Sequence, residues 1–289
     1  MTTRRLVGSI GLMIGATLLS AGCSSDDSTS SESPTAPDTT VATLASSLAP
    51  GDGYVALGTS IASGYGISVQ STSCGRSDRN YPQLVAARYE LMLTDVSCGG
   101  AVTANIVDTP QGESPPQIEA VGPDTELITV TVGGNDIGYN GTAVGCGDPS
   151  GVCTAPVDLD ARVARLRPDL LAMIDELRQA APDATLVFVT YPREVPPSGN
   201  CAALSFTDEE VEIVRSMGEQ LQAAFLDVAE QTDVVLVDPY SVEADHTGCA
   251  PESERWVSGK DAPDSFSYHP TALGHVAMAE MISEALGQP

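Results

Sequence analysis

The run Leu127-Ile-Thr-Val-Thr-Val132 constrains the fold more than any other part of this chain. It carries no charge, is almost wholly β-branched, and is too short for a core helix. A strand with one wet face alternates apolar and polar residues, whereas an unbroken run fits a strand covered on both faces. Similar runs recur at Tyr54–Leu57, Leu91–Val96, Thr185–Thr190 and Val234–Val237. Between and after them lie segments with helical spacing: Tyr81–Tyr89, Leu159–Ala180, Thr207–Gln231 and Thr271–Leu286. Pro168 either kinks the second of these or marks a new start. On the last, Leu273, Val276, Ala277, Met281 and Ala285 make one apolar stripe. Strands separated by helices predict an α/β, three-layer sandwich with a central parallel sheet of about five strands. Five strands suggest a flavodoxin-like order, which sequence alone does not fix. Asn140–Val157 and Pro192–Leu204 read as long loops pinned by cysteines.

The first 50 residues lie outside this pattern. Arg4 and Arg5, the apolar stretch Leu6–Leu19 and the small residues Ser20-Ala21-Gly22 before Cys23 have the form of an export signal over 1–22. The apolar run is shorter than the roughly 20 residues a membrane-spanning helix needs. Its ending resembles the lipobox of bacterial lipoproteins, with Leu19 one position further from the cysteine than usual, so Cys23 is the expected lipidation site. Residues 23–50, rich in Ser, Thr, Asp and Pro, read as a disordered tether, and 51–289 as the folded domain.

Composition narrows the partners. Thirteen Lys and Arg face 39 Asp and Glu, for a net charge of −26. Such a surface argues against nucleic acid, whose phosphates require basic side chains, and leaves the membrane reachable only through an N-terminal lipid. Setting Cys23 aside, Cys74, Cys98, Cys146, Cys153, Cys201 and Cys249 form an even set in an exported chain, which predicts three disulfides. The sequential pairing closes the shortest loops, but spacing does not choose among the alternatives. No CxxC pair or histidine cluster suggests a metal.

The chemistry sits at strand ends. Tyr54–Leu57 runs into Gly58-Thr59-Ser60, the second strand into Cys98-Gly99-Gly100, and the third into Gly133-Gly134-Asn135-Asp136. In a parallel sheet these ends share one edge, where ligands bind. Ser60 is either a helix cap or a nucleophile. Gly100 is a turn or a donor, and Asn135 a cap or a donor. If Ser60 attacks an ester, the N–H groups of Ser60 and Gly100 and the Asn135 amide could hold the developing oxyanion. A base must come from three histidines. His246 sits in a polar loop, and His275 lies inside the last helix, where packing or capping suits it. His269 directly precedes Pro270 and the final helix, on a loop able to reach Ser60. No G-x-S-x-G elbow or phosphate-binding glycine loop is present.

Gly58-Thr59-Ser60, Ser97-Cys98-Gly99-Gly100-Ala101, Gly133-Gly134-Asn135-Asp136 and Ser267-Tyr268-His269-Pro270 together resemble, in order, the four blocks of the SGNH or GDSL-type hydrolases. The cysteine pattern is similar to that of the actinobacterial secreted esterase, lipase and phospholipase branch. The resemblance implies a flavodoxin-like hydrolase fold, Ser60 as nucleophile, His269 as base, and Ser60, Gly100 and Asn135 as the oxyanion hole. It also implies sequential disulfides and no cofactor. Two departures stand out. Thr59 replaces the family's aspartate, so that residue's polar contact is either lost or remade by a hydroxyl. Phe266 replaces the acid three residues before the histidine. Its backbone carbonyl is then the expected partner of the imidazole, with Asp264 as the alternative and Asp261 behind it. The expected protein is an exported, monomeric serine esterase or lipase acting on a small-molecule or lipid acyl ester. A carbohydrate deacetylase or acyltransferase using the same site, and an inactive surface-binding lipoprotein, are the alternatives.

Overall fold

The computed structural model describes residues 48–70, 73–242 and 244–287. The export signal, Cys23 and most of the tether therefore lie outside the described residues. Along the chain the helices and strands are β1 (Gly53–Gly58), α1 (Ser60–Ser63), α2 (Tyr81–Tyr89), β2 (Met92–Asp95), α3 (Thr103–Val107), β3 (Thr125–Thr131), α4 (Gly134–Ile137), α5 (Tyr139–Cys146), α6 (Leu159–Ala180), β4 (Thr185–Val189), α7 (Asp208–Glu230), β5 (Val235–Val237), α8 (Pro239–Val242) and α9 (Ala272–Leu286). The strands form one sheet, every pair parallel, in the order β2-β1-β3-β4-β5. Helices α2 and α9 pack on each other, as do α6 and α7, giving helices on both sides of the sheet.

The apolar runs are buried as their composition demands. Tyr54, Ala56, Leu57, Leu127, Val130, Val187 and Phe188 are all fully enclosed. Each large apolar side chain so buried contributes about 1.5–3 kcal/mol, and any charge in these runs would have to be desolvated. Local signals set the helix ends. The Asn80 side chain accepts the Gln83 N–H at the start of α2, with Pro82 in its first turn. Thr207 and Glu210 close a reciprocal capping box at the start of α7.

Three expectations need correction. Residues 139–146 form a helix rather than a loop; two internal glycines hide its periodicity, and buried Tyr139 and Ala143 anchor it. Helix α6 runs on through Pro168, so no second helix starts there. On α9 the buried face carries His275, Ala277, Met278, Ala279, Ile282 and Leu286, Met281 and Ala285 pack partly buried against the core, and Leu273 and Val276 are exposed. The stripe is rotated because α2 packs against α9, a contact that spacing does not encode.

Disulfides join Cys74 to Cys98, Cys146 to Cys153 and Cys201 to Cys249. The sheet order reverses direction between β1 and β3, since β2 lies on one side of β1 and β3 on the other. A crevice opens outside the carboxyl ends of strands at such a point. The segments following β1, β2 and β3 all end there.

Candidate active site

Ser60 is placed by the hydrogen bonding of the two residues before it. The buried Gln117 side chain accepts the Gly58 N–H at 2.7 Å and donates to the Gly58 carbonyl at 3.0 Å. The Cys98 N–H donates to that same carbonyl, and the Thr59 N–H donates to Thr131 O. Thr59, not Ser60, caps α1: its hydroxyl accepts the Ile61 N–H at 3.3 Å. It also bonds the Tyr191 hydroxyl at 3.2 Å, which in turn accepts the Gly134 N–H at 3.0 Å. Thr59 thus makes a polar contact of its own through its hydroxyl, to a tyrosine that the sequence did not single out. It ties the end of β1 to the end of β3.

Ser60 Oγ lies 2.8 Å from His269 Nε2, and both residues are buried. His269 Nδ1 lies 2.9 Å from the Ser267 carbonyl oxygen. A carbonyl only accepts, so the proton sits on Nδ1 and the Nε2 lone pair faces the serine hydroxyl. The orienting carbonyl is therefore one residue later than the expected Phe266. Phe266 O is taken instead by the Ser258 hydroxyl at 2.6 Å and the His269 N–H at 3.1 Å. Asp264 and Asp261 do not bond the imidazole. The shift follows from the next residue in the loop, Tyr268, which adopts a left-handed φ of +58°. A tyrosine holds such a conformation only when its surroundings impose it. Here its hydroxyl donates to Leu204 O at 2.7 Å and its ring stacks on Phe206. Burial lowers the His269 pKa to about 4, opposed by the Ser267 carbonyl. The imidazole is therefore neutral at pH 7.

Two further segments bring N–H donors to the same place. Gly100 has a φ of +82°, which favours glycine, and follows a turn held by Asp95. That carboxylate accepts from the Ser97 N–H and hydroxyl and from Asn80 Nδ2. Asn135 Nδ2 donates to Ala101 O at 2.9 Å, leaving its second hydrogen free. Asp136 accepts the Thr103 N–H. Among the described residues no acceptor takes the Ser60 or Gly100 N–H.

Ser60, Gly100, Asn135 and His269 line one cleft of about 460 Å³, with Tyr65, Ser73, Gly99, Asn140, Gly141, Val144 and Phe266. The other two histidines lie elsewhere. His246 stacks on Trp256, and the buried His275 accepts the Tyr81 N–H at the start of α2. A second cavity of about 550 Å³ meets the cleft only at Asn135, and its Arg162 and Arg165 are offset by Asp108, Asp136 and Asp169. Among the described residues no cluster of His, Cys, Asp or Glu is arranged to hold a metal ion.

The chain has relatives among known proteins. The model of the GDSL-like Lipase/Acylhydrolase family matches residues 56–277. Lipase 2 of Streptomyces coelicolor is 31% identical over 256 residues, 81% of this chain and 85% of the relative. Among solved structures, phospholipase A1 from Streptomyces albidoflavus NA297 superposes with a TM-score of 0.66 at 26% identity, covering 81% of this chain and 99% of that one. The extracellular lipase of Streptomyces rimosus gives 0.64 at 27% identity, with the same coverage.

Proposed function

The chain belongs to the GDSL-like lipase/acylhydrolase family and is a carboxylic ester hydrolase, and from that premise we propose that it works through a Ser60–His269 dyad with a three-donor oxyanion hole. The observation carrying the proposal is the 2.8 Å hydrogen bond from Ser60 Oγ to His269 Nε2. Ser60 Oγ attacks the acyl carbon as Nε2 takes its proton. The carbonyl oxygen becomes an oxyanion held by the Ser60 and Gly100 N–H groups and the free Asn135 amide hydrogen. Nε2 then protonates the departing alkoxide, and water, deprotonated by the same imidazole, releases the acid. The Ser267 carbonyl fixes the tautomer and stabilises the imidazolium less than a carboxylate would.

Ser60→Ala removes the nucleophile. It is expected to abolish hydrolysis of a p-nitrophenyl short-chain ester while leaving the circular dichroism spectrum unchanged; retained turnover would remove Ser60 from the mechanism. Asp264→Asn is expected to cost little, because a backbone carbonyl orients the imidazole.

The same proposal includes export and attachment through a lipid on Cys23, with 23–50 as tether and 51–289 as a monomeric catalytic domain. The signal-like residues 1–22 support it, as does the extracellular description of the Streptomyces rimosus relative. Metabolic labelling with a radioactive fatty acid tests the anchor: label is expected on the wild type and absent from Cys23→Ser.

A further inference from the structure

Aromatic residues are only 4% of the chain, yet two stand side by side and partly exposed next to the histidine. Tyr65 follows the left-handed Gly64 that ends α1 and is 37% exposed; Phe266, in the histidine loop, is 39% exposed. Their rings meet edge to face at 5.3 Å between centroids. Phe266 meets the His269 ring in the same manner at 5.1 Å, and Tyr65 approaches it at 6.5 Å. Exposing two adjacent large rings at one cleft forgoes their burial energy, as the apolar wall of a binding site does.

The Tyr65 ring is held by its surroundings. A Cβ on Gly75 would collide with it, and one on Gly99 would lie 3.0 Å from it. A Cβ on Gly66 would strike the Ser265–Phe266 backbone, so the Tyr65 loop sits directly on the histidine loop. The two glycines bracketing the ring follow Cys74 and Cys98, which are joined by a disulfide. Their segments are linked again where the Gly99 N–H donates to Cys74 O at 2.9 Å. The ring stands in a covalently stapled slot.

Reaction chemistry says which half of an ester meets this wall. The imidazole that takes the serine proton delivers it to the leaving oxygen, so whatever flanks the imidazole flanks the alcohol. The cleft carries no Asp, Glu, Lys or Arg among its described lining residues. We propose that Tyr65 and Phe266 form the alcohol subsite of the cleft, taking an uncharged alcohol that presents an apolar, flat face to the Tyr65 ring. This rests on the Ser60–His269 reading. Tyr65 acts here as a specificity-determining residue that takes no part in proton transfer.

The test compares benzyl butyrate with ethyl butyrate, which share an acyl group and differ in the alcohol, using the mature protein. An aromatic contact of this kind is worth roughly a tenfold factor. Tyr65→Ala is therefore expected to lower the benzyl-to-ethyl ratio of kcat/KM about tenfold, and Tyr65→Phe, which keeps the ring, to restore it. A purely structural role for Tyr65 would slow both esters alike and leave the ratio unmoved, overturning the proposal. A loss that instead follows acyl length, from ethyl butyrate to ethyl decanoate, would also overturn it by assigning the wall to the acid. Fluorophosphonate labelling of Ser60 in the wild type is read in parallel. Its absence would sink the dyad, whereas an unmoved ester ratio sinks the subsite, so the two failures are told apart.

Discussion

The His269 imidazole is buried with no carboxylate partner, and that environment has a consequence for pH. Desolvation lowers the His269 pKa from 6.5 to about 4, and no carboxylate counters it. The free enzyme's kcat/KM reports that ionisation, and only the neutral ring accepts the serine proton. Activity is therefore expected to hold as pH falls through 6.5 and to fail near pH 4. An acid limb centred near the ordinary histidine value of about 6.5 would contradict the burial argument. The residue scale is also where sequence reading reaches furthest and then stops. That Ser60, Gly100, Asn135 and His269 meet at one cleft is legible because their blocks are local and each follows a recognisable strand or precedes a helix. The orienting carbonyl lies one residue away from where the sequence puts it. Carbonyl direction depends on the left-handed Tyr268, and tyrosine does not announce that conformation as glycine would. Ser258 and Tyr191 escape sequence reading for a related reason: each acts through a single hydroxyl on a partner outside its own segment.

The strands and long helices are legible because their burial is written into composition. A run covered on both faces must be apolar, and a helix on a sheet must show its spacing. Strand order is not legible in this way, because it depends on which β-branched edges meet. Helix α5 is hidden because Gly141 and Gly145 dilute its pattern, and its C-terminal end is tied to Val152-Cys153 by a disulfide. At this scale the position of Ser60 depends on the joint between β1 and the short turn at Gln117–Ala120, where Gln117 binds both backbone groups of Gly58. Gln117→Ala would leave a buried N–H without that partner, at about 1–3 kcal/mol for an unsatisfied group. A lower melting temperature and a kcat reduced by about tenfold or more are expected, since small misplacements of reacting groups are costly. Unchanged kcat in a folded Gln117→Ala would show that the joint does not position Ser60.

Across the described residues, a few ionisable side chains sit where water does not reach them. Glu194 is fully buried and bonds Asn140, a residue of the cleft wall; burial pushes its pKa well above the usual carboxylate value. Its proton is held to higher pH in the folded state than in the unfolded one. The associated stability is thus present in full below the unfolded pKa and lost as pH rises through the folded value. The net charge of −26 adds self-repulsion over the same range, so the contribution must be read as a difference. Glu194→Gln, a neutral isostere, is expected to flatten the fall in melting temperature as pH rises above the ordinary carboxylate range; parallel curves for the two proteins would show that Glu194 contributes none of it. The account as a whole depends on three strand ends and a distant loop making one hydroxyl nucleophilic. Mapping the covalent adduct of a fluorophosphonate by mass spectrometry tests that most directly. The prediction is a single adduct on Ser60, lost in His269→Ala. An adduct on another residue, or Ser60 labelling at the wild-type rate without the imidazole, would contradict it.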